Sequence, residues 1–285
     1  MALSSSASRQ PSRLQPPADG GAGTDSGAGC ATGAWPTAAT TGIPAGTPTL
    51  TKINASLHTK QDGQVFDAVE LNARLYVDHK NVVIKRSRLV GDQFYAVYVT
   101  IPAASLTVED CEIVGGMEVQ SDGFTARRNH VHAPAGGNKN DGIFFGGSGA
   151  LIEDNYIAGL HGGPGAHVDG IQPTSGKGIV IRHNWIEINN NNDPAALINA
   201  AIFFQPSKGP LADLTVECNM LNQTAGFWPL RFESGITGPI VVRGNRWAKG
   251  FQPSGPAYVK GSTTVTTWQD NAYVDGTPIS GPTKI

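Results

Sequence analysis

Charge is scarce in this chain. Only 15% of its residues are charged and the formal net charge is -2. That is too little of either sign to point to a nucleic acid or an anionic membrane as partner. Long apolar runs are missing, so no segment reads as a membrane span. Few stretches offer Glu, Lys, Leu and Ala at helical spacing, which argues against long amphipathic helices. Met1 to Pro17 holds no apolar core of the length a secretory signal needs. Three explanations fit: export by another route, a fragmentary or misassigned start, or a chain not exported on its own. Cysteine is confined to Cys30, Cys111 and Cys218, with no metal-ligand spacing. Cys30 lies in the tail, whereas Cys111 and Cys218 fall inside repeats and are expected to be small packed side chains.

What is present in quantity is Gly, 36 residues, together with Asn and Thr. This is the composition of an all-β chain with many turns. Residues 1–34 are rich in Ser, Gly, Ala and Pro without apolar periodicity, and read as a disordered tail. Residues 35–285 read as one domain. From Gly42 to Val77 the apolar residues are scattered (Leu50, Ile53, Leu57, Phe66, Leu71 and Leu75 among them). This segment is expected to form irregular first rungs and an N-terminal cap, because the open end of a repeat stack invites pairing with another chain.

From residue 81 a repeat is legible. A small or amide residue has apolar neighbours five and three positions before it and two after. Ser87, Cys111, Asn129, Asn155, Asn184, Asn219, Asn245 and Asn271 head eight such units, the last keeping only Trp268 and Tyr273 of the pattern. Asn184, for example, is flanked by Ile179, Ile181 and Ile186. Alternation at period two marks strands with one buried face. Intervals of roughly 20 to 35 residues mark stacked units sharing a core. Units this short hold about three strands each, every strand pairing in parallel with its copy one turn on. The fold class is therefore all-β: a single-stranded, right-handed parallel β-helix (solenoid) of about eight to ten rungs, its hand following the rule for parallel crossovers. The Asn column is expected to stack at one corner as an amide ladder, with Asn tolerating the left-handed backbone region there.

Between the Asn positions runs a second strand set. With its aliphatic residues inward, the outward strip reads Tyr98, then Glu118 and Gln120, Asp141 and Phe144, Asp169 and Gln172, Phe203 and Gln205, Arg231 and Glu233, then Tyr258 and Lys260. Lys139 and His167 precede the two Asp by two residues. Asp141 and Asp169 on adjacent rungs, roughly 5 Å apart, would raise one another's proton affinity. Three chemistries suit such a pair. It holds Ca²⁺, it forms a glycosidase pair of the retaining kind, or Asp169 orients His167 as the base beside a uronate while Arg231 neutralises charge. Against these stands a plainer possibility, that each Asp-Gly makes a turn and its carboxylate caps backbone N–H groups. His161 sits in a Gly-rich loop, and His130 and His132 flank an inward Val131 and are expected to be solvated. Phe144, Phe203 and Trp228 have ring faces suited to sugars.

Trp35-Pro36, Thr41 to Gly46, Val82 to Ser87 and His167-Val168-Asp169-Gly170-Ile171-Gln172 make the chain similar to the right-handed parallel β-helix superfamily that includes pectate lyases and polygalacturonases. More narrowly, these motifs resemble a group of bacterial extracellular and phage-associated β-helix proteins. The resemblance spans about residues 35 to 275. It implies the fold and an extracellular location but no single reaction. Asn140-Asp141-Gly142-Ile143 departs from the polygalacturonase pattern: the adjacent Asp pair, Gly-His-Gly and Arg-Ile-Lys are absent, and so is the full pectate-lyase set of Ca²⁺-binding acids.

The expected function is binding and cleavage of an extended acidic polysaccharide, with no nucleic-acid or membrane partner. Catalysis would fall to His167, Asp169 and Asp141. Binding would fall to Lys139, Gln172, Gln205, Arg231, Glu233, Phe144, Phe203 and Trp228. No metal ligand set is assigned beyond the Ca²⁺ option at Asp141 and Asp169. The alternatives are a glycoside hydrolase using the Asp pair and a non-catalytic glycan-binding or phage-tail β-helix.

Overall fold

A computed structural model describes residues 30, 34–91, 95–99, 101, 105–134, 140–160, 162, 167–188, 199–223, 227–249 and 254–285. Lys139, His161 and most of the tail lie outside them. Among the described residues there is no helix, and hence none long and apolar enough to cross a membrane.

The chain winds through three parallel sheets of ten, ten and nine strands, a parallel β-helix. The first sheet runs from Thr51–Ile53 to Ala272–Tyr273, the second from Leu57–His58 to Thr283–Lys284, and the third from Val65–Asp67 to Thr267–Gln269. In each sheet every strand pairs with its copy one turn away. Alternation fills the coil: Val82 and Ile84, Leu106 and Val108, Ile179 and Ile181, and Leu214 and Val216 are buried in one continuous core. Phe204 and Phe232 stack inside it at 4.9 Å.

The Asn ladder is present. Asn129, Asn155, Asn184, Asn219 and Asn245 each donate an Nδ2 hydrogen to the Oδ1 of the next Asn, at 2.9 to 3.1 Å. The same Oδ1 accepts the backbone N–H of the Asn before it. The left-handed residue, however, is not the Asn. It is the residue before it: Arg86, Asp110, Arg128, Asp154, His183, Cys218 and Asp270 have φ between 47° and 57°, and Gly244 has 65°. The physical reason is that the Asn side chain and N–H both serve the ladder, so the chain reverses one residue earlier.

The third sheet's outer face carries a second ladder. In register, Asp67, Lys85, Glu109, Arg127, Glu153, Arg182, Glu217 and Arg243 follow one another with alternating sign. The pairs Arg127–Glu109 and Arg182–Glu153 close to 2.6 Å, and Arg243–Glu217 to 2.7 Å.

The segment Gly42 to Val77, expected to be irregular, forms strands from Thr51–Ile53 to Leu75–Tyr76 in register with the later rungs, and the described residues at its start and before it contact the flank. Trp35 stacks on His183 at 5.5 Å and packs against a small cluster containing Trp185 and Met220. Gly42 N–H donates to Arg128 C=O at 2.8 Å. Cys30 forms a disulfide with Cys218, so Cys218 is a cross-link rather than a small packed side chain. Cys111 is the buried free thiol. His130 and His132 are half-buried, not solvated. Burial, and then the charge of His132, push His130 down to about 4. His132 is held above its usual range by Glu112, whose Oε1 lies 3.1 Å from its Nε2.

Candidate functional site

The outward positions of the second sheet form one column. Strand register sets Tyr76, Tyr98, Glu118, Phe144 and Gln172 on successive rungs. Pairing of Ile171 with Ile202 carries the column to Phe203. From there it continues to Arg231 and Tyr258. The rung step is about 4.8 Å, so the column is a straight row of side chains spaced evenly along the stack.

Two clusters stand on it. In one, the Arg231 guanidinium lies 4.2 Å from the Phe203 ring, 5.2 Å from Tyr258 and 5.8 Å from Phe227. It donates to Tyr258 Oη at 3.0 Å and stands 3.6 Å from Glu233. Glu233 also pairs with Lys260 at 2.9 Å and accepts the Tyr258 hydroxyl. Burial pushes the Glu233 carboxyl up, but Tyr258, Lys260 and Arg231 outweigh it and the net direction is down. Trp228 meets Tyr258 edge-on at 4.6 Å. In the other cluster, Phe144 stacks with Tyr95 at 6.2 Å. Lys208 Nζ lies 4.9 Å from the Phe144 centroid and 3.0 Å from Glu118. Between the two groups on the column, Gln172 donates to Gln205 Oε1 at 2.8 Å. The expected outward direction therefore holds for Phe144, Gln172, Phe203, Arg231 and Tyr258, which share one column. Exposure varies along it. Phe203, Gln172 and Tyr258 are buried beneath their neighbours, while Phe144, Trp228, Gln205, Arg231 and Glu233 are half-buried and Phe227 is 52% exposed.

Asp141 and Asp169 lie side by side on adjacent turns, but not on this column. They are 5% and 2% exposed. Asp141 Oδ1 accepts the backbone N–H of Asp169 at 2.7 Å. Asp169 Oδ1 accepts that of Ala200 at 2.7 Å, and its Oδ2 accepts Asn199 Nδ2 at 3.2 Å. Each carboxylate thus caps the next turn's backbone, as the Asn ladder does at another corner. The glycines that follow are packing residues. A Cβ on Gly142 would meet Gly170 O at 2.7 Å, and one on Gly170 would meet Ala201 O at 2.6 Å. Hence Asp-Gly-Ile recurs because the corner needs a cap and then has no room for a side chain. The outward assignment of the two Asp fails because period-two alternation does not carry across that corner. Burial raises Asp169 to about 7, with Asn199, the Ala200 N–H and Arg231 pulling it back. Burial, and then the charge of Asp169, hold Asp141 well above the usual carboxylate range.

A Ca²⁺ ion does not fit this pair, because three of the four carboxylate oxygens face N–H donors. Among the described residues no three His, Cys, Asp or Glu gather as a metal ligand set. His167 is exposed and Val168 beside it is buried. Among the described residues no hydrogen bond joins His167 to Asp169, whose oxygens are already engaged. Lys208 and Tyr95 belong to the site without having been legible as members. Lys208 follows the Ile202–Phe204 strand and reaches back three rungs to Glu118, a contact set by a loop path rather than by any repeat position. No family model, no curated protein and no solved structure matches this chain.

Proposed function

We propose that the protein binds an extended acidic polysaccharide along the outer face of the second sheet. The supporting observation is the column from Phe144 through Gln172 and Phe203 to Arg231 and Tyr258, in one register on successive rungs. Long, evenly stepped surfaces of this kind suit polymers. Aromatic rings offer apolar faces to sugar rings, and Arg231, held among three rings, offers planar donors to a carboxylate. The fold and the motif resemblance support membership of the pectate-lyase-like superfamily. The Cys30–Cys218 disulfide supports an oxidising, extracellular location. Affinity electrophoresis against uronic-acid and neutral polysaccharides tests the reading. At least one acidic polymer should retard the protein, and both Arg231→Ala and added salt should weaken that retardation. Absence of retardation by every polymer would overturn the proposal.

Cleavage by β-elimination is a second reading, favoured by the exposure of His167 beside the Asp169 rung. It predicts unsaturated product from the bound polymer, abolished in His167→Ala with binding retained. Use of Asp141 and Asp169 as a hydrolytic pair draws no support from their burial and their bonding to backbone N–H groups.

A further inference from the structure

A separate cleft of about 240 Å³ opens where the second sheet turns toward the third, between the strands Met117–Gln120 and Ile143–Gly146 and the loop that carries Lys208. Gly146 and Gly147 are among its lining residues. A Cβ on Gly146 would stand 2.4 Å from Ser175 Oγ and 2.6 Å from Gln120 Oε1. One on Gly147, whose φ is +132°, would stand 2.2 Å from Ser121 O. Neither position has room for a Cβ, so backbone rather than side chains lines the cleft there. Gln120 is part of the wall, and its Nε2 is buried without a hydrogen-bond partner among the described residues. Asp122 is fixed at the rim, its Oδ1 accepting Ser148 N–H at 2.6 Å. Lys208 closes the other side, tethered to Glu118 and lying over the Phe144 ring.

From this lining we infer that the cleft is a subsite for a single neutral pyranose unit. Its lining residues bring amide, hydroxyl, carboxylate and ammonium side chains together, which matches the mixed donors and acceptors of sugar hydroxyls. Its volume equals about eight waters at ~30 Å³ each, room for one ring. Lys208 is already balanced by Glu118, and Asp122 adds a negative charge, so an anionic sugar meets repulsion there. The inference rests on the glycan reading of the second sheet and refines it. Phe144 beside the cleft and Arg231 are three rungs apart, about 15 Å, so one polymer spanning both would present a neutral unit to the cleft and an acidic unit to Arg231.

The test is saturation-transfer NMR and calorimetric titration of the full chain with methyl glucoside, methyl galactoside, methyl mannoside and glucuronic acid. At least one neutral glycoside should bind, and more tightly than glucuronic acid. Gln120→Ala and, as a second variant, Asp122→Asn should each weaken it at least ten-fold without shifting the unfolding midpoint. Failure of all three neutral glycosides while an acidic polysaccharide still binds would overturn the subsite and leave the proposed function standing. Glycoside binding that neither variant weakens would also overturn it. Failure of monosaccharide and polysaccharide alike would overturn both.

Discussion

Asn184 shows how much one side chain supports in this stack. Its Oδ1 accepts from the N–H and Nδ2 of Asn155, and its Nδ2 donates to Ile152 O and Asn219 Oδ1, all in a fully buried setting. Asn184→Ala strips partners from several buried polar groups, each costing about 1–3 kcal/mol when left unmet. A total loss of about 3 kcal/mol is expected from urea unfolding, and a loss below about 1 kcal/mol would contradict the ladder's role. Asp169 makes a prediction of opposite character. Its folded value of about 7 lies above the unfolded 3.8, so the folded state binds the proton more tightly. Its contribution to stability is complete below about pH 4 and is lost as pH rises through about 7. Asp169→Asn cannot ionise. Stability of the variant should therefore fall less than that of the parent between about pH 5 and pH 8, and an equal fall would show that Asp169 titrates normally. The Asn column is legible in sequence because a buried amide at fixed offset from aliphatic residues leaves a periodic trace. The burial of Asp141 and Asp169 is not, because whether an Asp before a strand points out or caps the next turn depends on a backbone N–H supplied from some thirty positions away.

The third sheet is stabilised on its outer face by alternating charge. Glu153 sits between Arg127 and Arg182 in register, and directly opposed charges on neighbouring strands contribute roughly 0.2–1 kcal/mol per pair. Glu153→Lys replaces two attractions with two repulsions and should cost about 1–2 kcal/mol at low salt, shrinking as salt is raised. A cost that does not change with salt would point to packing instead. This ladder has a sequence signal as regular as the Asn column: Lys85, Glu109, Arg127, Glu153, Arg182, Glu217 and Arg243 each stand two residues before a column position. Apolar alternation places these residues outside but does not pair them; the sign alternation does. In the second sheet, alternation finds the direction of Phe203 and Tyr258 but not their burial, because that depends on Arg231, whose guanidinium packs against both rings.

At the scale of the molecule, ordinary period-two strands produce the solenoid, and the chain's beginning is tied to its flank. The Cys30–Cys218 disulfide closes a loop of 188 residues, so Cys30→Ser should cost about 2–4 kcal/mol. Deletion of residues 1–29, which spares the bond, should cost much less, and equal losses from the two changes would show that the cross-link does not stabilise the fold. This constraint is invisible to a reading of composition, which places Cys30 in a tail without apolar periodicity. The central claim, that the second sheet presents a glycan-binding face, is tested most directly by hydroxyl-radical footprinting with and without the acidic polysaccharide that retards the protein. The account predicts that modification of Phe144, Phe227 and Trp228 falls on addition of the polymer while Tyr273 on the first sheet is unchanged. Protection of Tyr273 with Phe144, Phe227 and Trp228 still modified would contradict it.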